Sequence, residues 1–356
     1  MGLALSAVPV RLATLTYNAA MPKKMPILKL HELVANTPAV DCFALLVEKT
    51  LSTTRDGKKL FKCRFRNLRR TVEAAIWSDS PLFADCEAAW ETGTIYKLRC
   101  VYSEHERYGP KIDILQIRAA GEEDEADGLV LDEFIDQPRT SPTETFDALR
   151  ALADAEIAND ELKTLVLKLL DDHGDILKEL PATARQFYPF PGGWLEHTLA
   201  VARNCLWLAD QYRERFPDLI LNRDLVLAGA VLHDIGRVKE LLPSALQPAE
   251  ATVEGRLLGH IMLGRDLIRD TAREIEGLNP ELLMLLDHLV LVHLTLPEWG
   301  SPRLPMIPEA LILHHVDDLD AKFEMYARLL TKDASAGPFT DRDPVLGKQL
   351  LKRREN

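Results

Sequence analysis

Cysteine is scarce in this chain: five residues in 356, Cys42, Cys63, Cys86, Cys100 and Cys205, odd in number, scattered and never spaced C-x-x-C. That pattern speaks against a disulfide framework or a thiolate zinc site and predicts a reducing compartment, the cytoplasm. Long apolar runs are missing as well. Leu282–Leu286 and Leu289–Val292 are interrupted by Asp287, His288 and His293, far short of the roughly 20 residues a membrane helix needs. Residues 2–20 are fairly apolar, but no basic stretch precedes them, so a leader is not expected. We read residues 1–25 as a loose tail, with Met21 and Met25 as alternative starts. No P-loop, dinucleotide fingerprint or Ser-His-Asp order is visible, which leaves nucleotide-cofactor and nucleophilic chemistries without a carrier.

What is present is enough apolar sequence for a sizeable core. Hydrophobic residues make up 47% of the chain and charged residues 28%, which excludes bulk disorder and fits two or three domains. The net charge of −12 hides an asymmetry. Residues 26–118 hold 15 Lys or Arg against 12 Asp or Glu, whereas residues 119–356 carry a net −18. Between the two lies Gly121–Asp136, with eight acids and no Lys or Arg, followed by Gln137-Pro138-Arg139-Thr140-Ser141-Pro142. That composition predicts a solvated acidic linker over residues 120–142.

The basic part reads as five strands, at 41–50, 60–68, 71–77, 94–102 and 111–118, with a turn at Arg55-Asp56-Gly57-Lys58. One helix fits at 80–91, where Ser80 can cap and Pro81 suits the first turn. Five strands with a helix between the third and fourth is the order of an OB barrel, expected over residues 26–119. Lys62, Arg64, Arg66, Arg69 and Arg70 interleave with Phe61, Phe65 and Trp77, the mixture of cations and stacking surfaces that holds single-stranded nucleic acid. The competing interpretation places Phe61, Cys63 and Phe65 on the inward face, with the cations as ordinary solvated surface.

From Thr143 onward the period is helical, with segments near 143–156, 159–179, 194–214, 223–233, 254–275, 280–293 and 308–331, and no strand pattern between them. An all-α domain is therefore expected over residues 143–335, followed by a C-terminal tail at 336–356. His197, His233-Asp234, His260, His288, His293 and Asp317 fall at the ends or inner faces of these helices. Mixed imidazole and carboxylate sets of this kind suit divalent manganese or iron. His233-Asp234 closes the apolar run Leu225–Leu232, and burying two such side chains without partners costs several kcal/mol. A metal shared with His197 and Asp317 satisfies both.

These residues resemble the signature of the HD-domain metal-dependent phosphohydrolases. Gly192-Gly193-Trp194-Leu195-Glu196-His197-Thr198, Leu232-His233-Asp234-Ile235-Gly236, Glu254–Ile261, Glu298-Trp299-Gly300-Ser301-Pro302 and Val316–Ala321 are similar to one branch, the YhaM-type 3′ to 5′ exoribonucleases, which joins an OB module to an HD domain. The resemblance covers roughly residues 26–331. It implies a first metal held by His197, His233, Asp234 and Asp317 and a second held by Asp234 as bridge with His260 and His293, manganese being the expected ion. It implies hydrolysis of single-stranded RNA, with DNA as an open alternative, to nucleoside 5′-monophosphates, with Asp234 central. Arg237 and Lys239 are the candidates for stabilising transition-state charge, although both also fit a solvated helix end. A nucleotide phosphohydrolase and a nucleic-acid-binding protein with a decayed HD site are the alternatives; a homo-oligomer is left open.

Two departures from the branch stand out. Relatives carry His-His-Gly before the Glu-Trp-Gly-Ser-Pro phrase where this chain has His293-Leu294-Thr295, so Leu294 removes an imidazole and is expected to weaken the second site unless water or His288 compensates. Relatives also carry His-His shortly before the Gly-Gly, where Phe187-Tyr188 stand here.

Overall fold

The computed structural model describes residues 25–353 other than 106–108, 245, 247, 334 and 336. The expected N-terminal tail lies outside them except for Met25. The chain divides near Asp136 into two compact units. In the first, β1 (Val40–Thr53), β2 (Lys59–Arg66), β3 (Thr71–Trp77), β4 (Ile95–His105) and β5 (Gly109–Ala119) close a barrel in the order β1-β2-β3-β5-β4, with α1 (Phe83–Ala89) between β3 and β4. A single parallel pairing, Glu73 with Lys111, joins β3 to β5. This is the connectivity of the OB barrel. The helix is shorter than the expected 80–91 because Ser80 stays in a turn, its Oγ accepting from Leu82 N at 3.2 Å. At the other end Lys49 Nζ donates to the carbonyls of Cys86 and Trp90 at 2.9 and 2.7 Å, satisfying the helix C-terminus.

β3 alternates throughout and β2 from Phe61 onward, with Phe61, Cys63, Phe65, Val72, Ala74 and Ile76 inward. β1 does not: Val40 to Leu46 are buried without alternation. Cys42, Ala44 and Leu46 face the barrel core, while Phe43 and Leu45 pack outward against Ala120, Leu129 and Phe134. The segment expected to be a solvated linker is therefore a cover on the barrel. Its Asp124 is buried and receives Lys97 at 3.1 Å, Arg118 at 2.5 Å and the Gly121 amide at 3.0 Å. The composition misled because its acids are counterions to barrel cations and its few large apolar residues carry about 2 kcal/mol of burial each.

In the second unit the helices are α2 (Pro142–Glu156), α3 (Asp160–Glu179), α4 (Gly193–Arg215), α5 (Arg223–Leu232), the single turn α6 (Arg237–Glu240), α7 (Val253–Ala272), α8 (Pro280–Val292) and α9 (Pro308–Lys332). Ser141, Asn159, Asn222, Thr252 and Asn279 each accept a backbone N–H of the first turn, which fixes where five of them start. Every residue of α5 from Leu225 to Leu232 is buried, so this short helix is apolar all round and central. Two features depart from the all-helical expectation. A two-stranded hairpin, β6 (Leu241–Leu242) with β7 (Glu250–Ala251), follows α6, and α7 is broken at Gly259 (φ 72°, ψ 159°). Within the expected C-terminal tail, residues 337–353 are partly structured: Phe339 bridges Leu351, and Thr340 and Leu350 are buried.

Asp124 carries a testable load. Burial pushes its carboxyl up, but Arg118, the Gly121 amide and Lys97 hold it below its ordinary value of 3.8. The stabilisation is therefore complete above that value and lost as pH falls through the lower folded one. Asp124→Ala removes the buried acceptor shared by Arg118, Lys97 and the Gly121 amide and leaves Lys97 with Asp127 alone, and we expect a loss of about 2 kcal/mol, read as an earlier denaturant midpoint for the barrel transition.

Candidate metal centre

Five elements converge on one point in the helical unit. α4 supplies His197 in its second turn, the C-terminus of α5 supplies His233 and Asp234, and α7 supplies His260 just past its break. The end of α8 supplies His293, and α9 supplies Asp317. All six side chains are buried. Among the described residues two groups each bring one ligand atom per residue within 4.8 Å of one another: His197, His233 and Asp317, and Asp234, His260 and His293.

Each imidazole is fixed through Nδ1. His233 and His293 lie 2.8 Å from the carbonyls three residues back, Ala230 and Val290. His197 is held by Asp320 at 2.8 Å, and His260 faces Glu240 at 3.4 Å. Carboxylate or carbonyl partners on one ring nitrogen are how metal-ligating histidines are oriented. The other nitrogens point inward. His197 Nε2 is 3.1 Å from Asp317 Oδ1 and His233 Nε2 is 3.8 Å from the same oxygen, while His260 Nε2 and His293 Nε2 are 3.1 and 3.6 Å from Asp234 Oδ1. Asp234 Oδ2 turns toward His233 Nε2, 4.0 Å away, so this carboxylate faces both groups. His233 Nε2, His260 Nε2, His293 Nε2 and Asp234 Oδ1 are buried with no hydrogen-bond partner. Such orphaned atoms are costly, and four of them converging is what a divalent cation satisfies.

The backbone is shaped to permit this. Gly236 follows the His-Asp pair, and a Cβ on it would sit 2.0 Å from the His260 carbonyl oxygen, so glycine alone lets α7 approach. Gly259 takes a left-handed φ that ends the first half of α7 and lets the His260 amide donate to Glu240 at 3.1 Å. Trp194 is fully buried and donates from Nε1 to the Asp234 carbonyl at 2.9 Å.

The electrostatics follow from burial and pairing. Burial opposes a charge on His197, but Asp317 and Asp320 outweigh it and push its pKa up to about 10. Burial takes His233 down to about 4. Asp234 is held well below the carboxylate range against its own burial, chiefly by the Arg237 guanidinium and His260.

The HD-domain family matches residues 194–322. The 3′-5′ exoribonuclease YhaM of Bacillus licheniformis is 31% identical over 303 residues, spanning 85% of this chain and 91% of that protein. The YhaM of Geobacillus sp. is 32% identical over 305 residues, spanning 85% and 88%. This chain belongs to the YhaM exoribonuclease family. A solved structure, the OB domain of Ta0387 from Thermoplasma acidophilum, is similar at 8% identity and a TM-score of 0.20 over 27% of this chain and 86% of that one.

Within this YhaM-family chain the structure sorts the candidate residues. Arg237 belongs to the centre rather than to a solvated helix end, with Nε 3.4 Å from Asp234 and Nη1 2.5 Å from Glu240. Lys239 does not: its side chain is exposed. His288 is also elsewhere, accepting from the Met306 amide at 3.0 Å, and Leu294 is half-buried. Each group reaches three ligands without either. Phe187 and Tyr188 lie with ring centres 5.1 and 5.5 Å from His197. Asp320 and Glu240 escaped sequence reasoning as orienting groups. Asp320 sits three residues, about one turn, beyond Asp317, and that spacing was the available signal.

On the barrel, Phe65 is fully buried against Trp90 and Tyr96, and Phe61 is buried against Phe83. Both are core residues rather than stacking surfaces. Lys62, Arg64, Arg69 and Trp77 are exposed and Arg66 half-buried. Arg64 pairs with Glu48 at 3.0 Å, and Lys58 lies over the Trp77 ring.

Asp320→Asn keeps the side-chain size and removes the charge that holds His197. We expect metal affinity at the His197 group to fall ten- to a hundredfold and that at the Asp234 group to stay, as read by calorimetric metal titration. Equal losses at both would assign Asp320 to folding alone.

Proposed function

We propose that this chain hydrolyses single-stranded RNA from its 3′ end, releasing nucleoside 5′-monophosphates, as a metal-dependent exoribonuclease of the cytoplasm. The convergence of four oriented imidazoles and two aspartates on one buried point, at the positions of the HD motifs, carries this reading. His197, His233 and Asp317, and Asp234, His260 and His293, would each hold a divalent ion, which would supply Lewis acidity toward a water and a phosphoryl oxygen. Manganese suits the mixed nitrogen and oxygen donors.

The chain's own residues do the rest. Asp234 presents one oxygen to each group and so fixes their separation. Arg237, held against Asp234 and Glu240, keeps a guanidinium beside the centre for the negative charge that grows on phosphoryl oxygens. On the barrel, the outward residues of β2 and β3, Lys62, Arg64, Arg66 and Trp77, with Arg69 in the turn between them, are the surface we assign to the RNA strand. A half-exposed indole flanked by cations binds unpaired bases without regard to sequence.

Removing metal with a chelator should abolish hydrolysis of a 5′-labelled single-stranded RNA, and added manganese should restore it. Asp234→Ala should be inactive while its far-ultraviolet circular dichroism stays that of the parent. Full activity in that variant would refute the assignment. Leu294→His restores the imidazole that relatives carry directly after His293, and its manganese activation curve should move to lower concentration with the same products. An unmoved curve would mean that the second group is complete with three ligands.

A further inference from the structure

The phrase Glu298-Trp299-Gly300-Ser301-Pro302 contributes none of the ligands above, yet the fold ties it to the second group at both ends. It leaves α8 through His293 itself. Thr295 then takes a left-handed φ of 65° and donates its amide to the Val292 carbonyl at 2.8 Å, turning the chain sharply back. A 3-10 turn, Pro297–Trp299, closes on Gly300 (φ 106°), whose amide donates to the Pro297 carbonyl at 3.0 Å. Gly300 lies over α7: a Cβ there would meet Ile261 Cδ1 at 3.5 Å, and Ile261 is the residue after His260. Ser301 follows it, buried, with its amide donating to the Leu296 carbonyl at 3.3 Å.

This turn presents Trp299 half exposed, at 50%. An indole left in water beside a hydrolytic centre is an unspent apolar surface. Leu257, Leu258 and Met262 on either side of His260 are exposed too, and the exposed cations Arg256 and Arg303 adjoin the same two segments. Residues 137–356 carry a net −10, so this unit repels a polyanion at long range. A strand must then be held at the centre by short-range contact, and stacking on an aromatic face is the contact every unpaired base can make.

We infer that Trp299 is the stacking platform for a nucleobase of the single-stranded substrate beside the Asp234, His260 and His293 group, with Arg256 and Arg303 as the adjoining cations. This rests on the nuclease reading above. The base stacks while its phosphodiester lies at the metal centre, so the contact serves binding rather than the chemical step.

The test compares the full-length protein with Trp299→Ala and Trp299→Phe in manganese. The substrates are a short single-stranded oligoribonucleotide and the same strand with its 3′-terminal bases removed. Trp299→Ala should raise KM for the intact strand roughly 5- to 100-fold with kcat nearly unchanged, and Trp299→Phe should recover most of the loss. On the abasic strand parent and Trp299→Ala should be alike, and metal titrations should coincide for all three proteins. Binding of both strands, read by fluorescence anisotropy in chelator, should give the same order, so Trp299 is judged even if the parent proves not to hydrolyse RNA. An unchanged KM and binding constant on the intact strand would overturn the inference. An equal loss on the abasic strand, or a change of oligomeric state in sedimentation that marks Trp299 as a contact between copies, would overturn it as well.

Discussion

The helix α5 ends in His233 and Asp234 while still wholly inside apolar surroundings. A neutral imidazole nitrogen and a carboxylate oxygen there have no protein hydrogen-bond partner, a burden of several kcal/mol if nothing answers it. Much of the helical unit is arranged as that answer. α4, α7, α8 and α9 each contribute one residue, and all four imidazoles have their Nδ1 engaged so that Nε2 points at the centre. Gly236 gives up a side chain so that α7 can reach. A buried constellation of this kind is a poor way to stabilise an apoprotein and a good way to hold cations.

Orientation is graded in a way that follows from the helices. His233 and His293 stand at helix ends, where a carbonyl three residues back is free to receive Nδ1–H, so no second side chain is required. His197 and His260 lie near the starts of regular helical stretches, where the preceding carbonyls are not in position. Their Nδ1 atoms are met by carboxylates instead, from Asp320 and Glu240. Each metal group thus has one histidine set by the backbone and one set by a charge. The charged pair is the more tunable, because its strength changes with a single substitution.

In the barrel, charge is distributed by the cover over β1 and β4. Lys97 and Arg118 are taken by Asp124, and Arg99 by Asp41 in a two-pronged pair at 2.7 and 2.9 Å. Lys62, Arg66 and Arg69, with Trp77, remain on the β2–β3 side. A modest excess of cations in the sequence therefore becomes a localised basic surface on the side where OB barrels hold strands.

The amino-acid pattern alone carried the fold class of each part and the five strands with their helix, and it marked His197, His233, Asp234, His260, His293 and Asp317 as the candidates that the fold brings together. Alternation, helical period and motif spacing are local properties and survive in one dimension. Tertiary structure decided what local pattern cannot express. Phe61 and Phe65 alternate with cations just as an exposed aromatic would, and only closure of the barrel sends them to the core. The acidic stretch at 121–136 reads as solvated until Lys97 and Arg118 lie beneath it, although the unbroken apolar run Cys42–Val47 hinted at a strand covered on both faces. The choice of Arg237 over Lys239, and the discovery of Asp320 and Glu240, depended on which side of a helix turn faces a centre built from five separate elements. Burial and orientation are relations between distant segments, and the fold alone supplies them.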